Sequence, residues 1–190
     1  MTSQNIVDPL ASTADGPLDD PLQEALRLIS LADRQGLQLR LMGGLAFHAR
    51  VPEWTARVSR EGRDIDLATR SHDRKAVADL LGAAGYLPDK QHNALYGHKQ
   101  LYFFDPRHSR PVDVLVDHSF EFADRLVVDP PTLPLAELLL SKLQVVRINR
   151  KDILDALILF ARFPLAQDDR GGISVPRITG LTSTNWGWWR

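Results

Sequence analysis

The chain has 190 residues, 44% of them hydrophobic and 25% charged, with a formal net charge of −1. That suffices for one good core with room for a small appended lobe, and it offers no overall basic field for nucleic acid. Without any cysteine the chain can build no disulfide, thiolate zinc site or cysteine nucleophile, a composition compatible with the reducing cytoplasm where we expect it.

Residues 1–19 are rich in Pro, Asp, Ser and Thr and read as a disordered or loosely attached N-terminal segment. They hold neither a basic start nor an apolar stretch, so no signal peptide is expected. No run approaches the roughly 18 apolar residues of a membrane span. Asp20-Pro21 opens a helix as N-cap and first helical residue. Leu22, Ala25, Leu26, Ile29 and Ala32 fall at helical spacing, and Gly36 ends the run. Residues 37–42 alternate like a strand and lead into Gly43-Gly44, after which residues 45–50 read as a helix. The backbone of such a turn can approach a phosphate closely, at a helix N-terminus that favours negative charge. A plain tight turn uses the same residues. There is no third glycine and no Gly-Lys-Ser/Thr, so neither the Rossmann nor the P-loop fingerprint is met.

Residues 52–62 form a polar loop, and residues 63–70 a strand. Ser71 is expected to cap a helix that runs to Ala84 and stops at Gly85. Residues 100–104 and 112–116 flank Asp105-Pro106 as a hairpin, and residues 125–128 suggest a short edge strand before Pro130-Pro131. From Leu133 to the mid-160s the pattern is helical, in two helices divided near Asn149. The tail from Gln167 ends in Trp186, Trp188 and Trp189, aromatics expected to pack back on the core.

The strand at residues 63–70 carries Asp64 and Asp66, two apart and therefore on one face. At about 5 Å two carboxylates repel by roughly 3 kcal/mol with an effective dielectric near 20. A divalent cation between them removes that cost, and an oxygen-only site suits Mg²⁺ or Mn²⁺. In residues 111–117 Val112, Val114 and Val116 share one face, with Asp113, Leu115 and Asp117 on the other. A third carboxylate at Asp113 would complete a site for two cations about 3.5–4 Å apart, the arrangement for in-line phosphoryl transfer. The plainer alternative sets Asp113 in water on an edge strand.

Lys142 lies in the apolar stripe of Leu135, Leu138, Leu139, Val145 and Val146. It either snorkels outward or crosses toward a phosphate or the carboxylates. On the second reading Lys142→Met should fold at least as well as the natural chain and still lose activity. Asp155 is the only polar residue between Ile153 and Ala161 and needs a partner such as Arg150, Lys151 or Lys142. Arg50, Arg57, Arg60, Arg63, Arg70 and Arg74 flank the Asp64 strand, either as a phosphate-receiving rim or as partners of nearby acids. None of the six histidines forms an i, i+4 metal pair.

Met42-Gly43-Gly44, Asp64-Ile65-Asp66 and the run from Val112 to Asp117 together resemble the nucleotidyltransferase superfamily related to DNA polymerase β. Within it the chain looks most like the AbiEii-type toxins and minimal nucleotidyltransferases, on the strength of the helical segment over residues 133–159. The resemblance spans roughly residues 22–163. It departs from the pattern in having no serine in place of Gly44 and a longer interval between Gly44 and Asp64. It implies an α/β (α+β) fold: a small mixed sheet with helices mainly on one side, a core over residues 20–130 and a helical C-terminal portion over 131–190. It further implies transfer of a nucleoside monophosphate from an NTP to an RNA or tRNA end, a protein hydroxyl or a small molecule. In that scheme Asp64, Asp66 and Asp113 hold Mg²⁺ or Mn²⁺, with Asp113 also serving the nucleophile. The Gly43-Gly44 backbone and Lys142 would receive the triphosphate, and Asp152 or Asp155 would be the downstream acid. A toxin of this kind would have a cognate antitoxin protein as partner. The alternatives are a catalytically degenerate nucleotide-binding module and a metal-dependent phosphohydrolase.

Overall fold

The computed structural model describes residues 16–55, 64–117, 124–144 and 148–184. Helix α1 (Pro21–Arg34) starts where its signals place it, the Asp20 carboxylate accepting from the Gln23 amide at 2.8 Å. Strand β1 (Leu39–Leu41) follows, then α2 (Gly43–Arg50) and the single turn α3 (Pro52–Thr55). Next come β2 (Ile65–Thr69), α4 (Arg74–Ala83), β3 (Leu87–Pro88), α5 (Lys90–Tyr96), and the hairpin β4 (Gln100–Asp105) and β5 (Arg110–Val116). The C-terminal portion comprises α6 (Leu135–Leu143), α7 (Arg150–Arg162), β6 (Leu165–Ala166), β7 (Ile173–Ser174) and α8 (Val175–Thr184).

The result is an α/β fold whose five-stranded mixed sheet has the order β1-β2-β5-β4-β3. Within it β2 and β5 run parallel and the other described neighbours are antiparallel, while β6 and β7 form a separate parallel pair. Strand alternation sorts the residues onto two faces. Leu39, Leu41, Ile65, Leu67, Leu101, Phe103, Val112 and Val114 share one face and are buried with Ala25, Leu28 and Ile29 of α1 and Val77 and Leu81 of α4. Burial of each such side chain contributes about 1.5–3 kcal/mol. The cluster also takes in Leu135, Leu138, Leu139 and Leu159, so the C-terminal helices share the core of the sheet. The opposite face carries Asp66, Asp113, Leu115, Gln100 and Tyr102. Among the described residues no helix is long and apolar enough to cross a membrane.

Several elements differ from expectation. Helix α2 begins at Gly43 rather than Leu45, which brings both glycines into its first turn. Helix α4 begins after Asp73, not Ser71; the Asp73 carboxylate accepts from the Gln38 amide and from Arg70, tying the turn to β1. Residues 125–128 are a turn, because Leu126 alone is buried while Val127 and Val128 face solvent. Arg125 is drawn away to Glu137 and Asp169, at 2.8 and 2.6 Å. At the other end of the chain Leu18 and Asp19 are held by the buried Arg110, which donates to the Leu18 carbonyl at 2.7 Å. Residues 1–15, the loop over 56–63 with Arg57, Arg60 and Arg63, the stripe positions Val145 and Val146, and Trp186, Trp188 and Trp189 lie outside the described residues.

Candidate functional site

The parallel pairing of β2 and β5 sets Asp66 directly opposite Asp113. Paired residues face the same side of a sheet, with strands about 4.8 Å apart. Asp64 stands immediately before β2, two residues from Asp66, and is exposed. Burial first, then repulsion from Asp113 and Asp64, pushes the Asp66 carboxyl up to about 6, with Lys142 pulling the other way. Burial and the Asp64 charge raise Asp113 as well, against the hydrogen bond from Gln100 and the field of His92. Gln100 donates from Nε2 to Asp113 Oδ1 at 2.6 Å.

Asp66, Asp113 and Gln100, but not Asp64, line a cavity of about 240 Å³ together with Met42, Gly43, Leu67, Leu115, Ser141 and Lys142. Gly43 is there for a steric reason. Its φ of +61° disfavours any side chain, and a Cβ on it would collide with the Asp66 carboxylate. Glycine therefore lets α2 start against the carboxylate pair, while Gly44 follows in the first turn and does not line the cavity. Gly43→Ala should cost about 2–4 kcal/mol from backbone strain and overpacking combined. Urea unfolding measures it, and a loss below about 0.5 kcal/mol, the range of neutral surface changes, would contradict this reading.

Lys142, in the last turn of α6, does not snorkel. Its ammonium sits 2.9 Å from Asp152 and 3.2 Å from Asp155, 5.4 Å above the Phe47 ring, with the side chain 15% exposed. Both downstream acids therefore meet the lysine, and Asp155 is nearly fully buried in doing so. The helix division puts them in reach: Asn149 caps α7 by accepting from the Asp152 amide. Of the flanking arginines, Arg50 pairs with Asp129 and Thr132, and Arg70 with Asp73. Those two are partners of nearby acids, as the plainer reading of the arginines has it. Gln100 and Ser141 escaped the sequence reading. Gln100 carries a signal once the hairpin register is fixed, since it alternates with Tyr102 onto the Asp113 face.

No family model, no curated protein and no solved structure matches this chain. What the site can do rests on its own chemistry. Among the described residues no three His, Asp or Glu side chains are gathered into a ready-made cation cage. Two facing carboxylates in a half-buried cavity nevertheless fit Mg²⁺, which ordinarily takes one or two carboxylates, several waters and substrate phosphates. Burial is the main cause of their raised pKa values, with repulsion between carboxylates adding to it, and a bound ion would offset both.

Proposed function

We propose that this chain is a Mg²⁺-dependent nucleotidyltransferase, a member of the superfamily it resembles, moving a nucleoside monophosphate from an NTP to an acceptor hydroxyl. The observation that carries the reading is the Asp66–Asp113 pair, partnered across parallel strands in one cavity with Gly43 and Lys142. Asp66 and Asp113 would hold the ion, and Asp64 would add charge at the rim. When bound, Mg²⁺ supplies charge neutralisation and polarises the phosphate. The Gly43 backbone lies close enough to the carboxylates to border the triphosphate, and Lys142 offers it a cation oriented by Asp152 and Asp155. Asp113, on the cavity wall, would also accept the acceptor's proton.

The test is incubation with each α-labelled NTP, Mg²⁺ and total cell extract. Transfer of label to an acceptor, lost in Asp113→Asn, is the expected result. Binding of NTP without transfer would support the degenerate nucleotide-binding module instead, and release of inorganic phosphate without transfer a phosphohydrolase.

A further inference from the structure

Among the described residues the Asp113 side chain accepts from one donor, Gln100, whose Nε2 stands 2.6 Å from Oδ1. The sheet register brings the two together. Gln100 partners Leu115 across the β4–β5 ladder and lies two residues from Tyr102, which partners Asp113. Diagonal neighbours of this kind are about 7–8 Å apart at the backbone, too far for a short side chain and within reach of a glutamine. The start of β4 is pinned there as well, since the Val116 amide donates to the Lys99 carbonyl at 2.8 Å. A carboxylate only accepts, so the Gln100 amide must turn its nitrogen to Asp113.

The kind of donor is informative. Among the described residues every buried Asp or Glu meets an Arg or Lys, as Asp105 meets Arg110 at 2.7 Å and Asp155 meets Lys142 at 3.2 Å. The half-buried Asp66 and Asp113 are served differently. Lys142 is engaged by Asp152 and Asp155, and Asp113 receives a neutral amide. A scaffold that needed only a satisfied acid would gain more from a cation there, which would also relieve the repulsion between Asp66 and Asp113. A neutral donor fixes the carboxylate and leaves its charge in place for an ion. Metal ligands are commonly oriented in this way by a hydrogen-bonding group behind them. Gln100 lines the same cavity as Asp66 and Asp113, so it stands where such a group belongs.

We propose that Gln100 is a positioning residue, holding Asp113 by Oδ1 so that Oδ2 is left to ligate the ion shared with Asp66. This rests on the nucleotidyltransferase reading. The role has two separable parts. Donation from Nε2 sets the direction of the carboxylate, and with it the placement of the ion and the rate at saturating NTP. Neutrality of the amide leaves the carboxylate charge undiminished, and with it the hold on the ion. Gln100 acts through Asp113 and not on the triphosphate, so the KM for NTP does not depend on it.

The experiment titrates Mn²⁺ alone into the nucleotide-free protein, followed by electron paramagnetic resonance, and measures labelled-nucleotide transfer in cell extract, for the natural chain, Gln100→Met and Gln100→Lys. Gln100→Met keeps the length and loses the donor. It should weaken Mn²⁺ binding about tenfold and lower transfer at saturating NTP by about ten- to a hundredfold, the range for loss of a group that orients a metal ligand. Its KM for NTP should stay within about twofold of the natural value. Gln100→Lys restores a donor and adds a charge, so at saturating Mg²⁺ it should transfer faster than Gln100→Met while binding Mn²⁺ no more tightly. Should Gln100→Met misfold, Gln100→Asn, one methylene too short to reach Asp113, carries the same expectation. Natural Mn²⁺ binding and transfer in Gln100→Met, a loss confined to the KM for NTP, or natural Mn²⁺ affinity in Gln100→Lys would overturn this proposal alone. Failure of the natural chain to bind Mn²⁺ or to transfer nucleotide would overturn the parent reading and this one with it.

Discussion

Asp66→Asn is expected to lower nucleotide transfer at least about a hundredfold, the order seen when one preorganised electrostatic group is removed from an active site. The same change should stabilise the metal-free protein above pH 6. The folded protein holds the Asp66 proton more tightly than the unfolded chain does, with a pKa of about 6 against an ordinary 3.8. The stability this gives is fully present below pH 3.8 and is lost as pH rises through 6. At ~1.4 kcal/mol per pH unit the penalty at pH 8 reaches about 3 kcal/mol, and Asn, which carries no charge, should recover about 2 kcal/mol of it. At pH 3.5 the two proteins should unfold at about the same urea concentration. A variant that is less stable at pH 8 and still transfers nucleotide would show the carboxylate to be structural.

Lys142→Met should lose both activity and stability. The stem is kept, so the helical stripe alone predicts that folding does not suffer. The ammonium, however, neutralises Asp152 and Asp155, both largely buried. Removing one member of a buried ionic cluster typically costs about 3–5 kcal/mol, because the remaining charges stay in a low dielectric. Adding Asp152→Asn and Asp155→Asn to Lys142→Met should restore most of that stability and none of the NTP-induced thermal shift. Recovery of NTP binding in the triple variant would make the cluster a purely structural ion network.

The contrast between those two sites shows where sequence pattern is informative. The Asp66–Asp113 face was legible because strand alternation is a strict period of two: Val112, Val114 and Val116 point one way, so Asp113 must point the other. Asp20-Pro21 announced its helix through cap chemistry that the structure repeats, and the division of the C-terminal helices near Asn149 falls where α7 begins. The partners of Lys142 were not legible, since they depend on how α6 and α7 pack, and Arg150, Lys151 and Lys142 were equal candidates for Asp155. Strand β3 and helix α5 went unseen for a related reason. β3 is two residues long and α5 buries none of its side chains, so neither leaves an apolar period in the sequence. Helix α8 was hidden by Pro176, Gly180 and three threonines, poor helix formers stabilised here by packing on α6 and by Arg177 bonding to Glu137 at 2.7 Å. Glu137 itself, a buried acid that also receives Arg125, lies in a leucine run that gave no sign of its two partners.

The most direct measurement is the carboxyl titration of Asp66, followed by carbon NMR on protein labelled in aspartate, assigned with Asp66→Asn and recorded with and without Mg²⁺. A midpoint near pH 6 is predicted in the absence of divalent cation. Saturating Mg²⁺ should lower it to below about 4.5, because a cation held between Asp66 and Asp113 favours the charged form. A midpoint near the ordinary 3.8 without metal, or one that Mg²⁺ leaves in place, would contradict the carboxylate pair as a metal site.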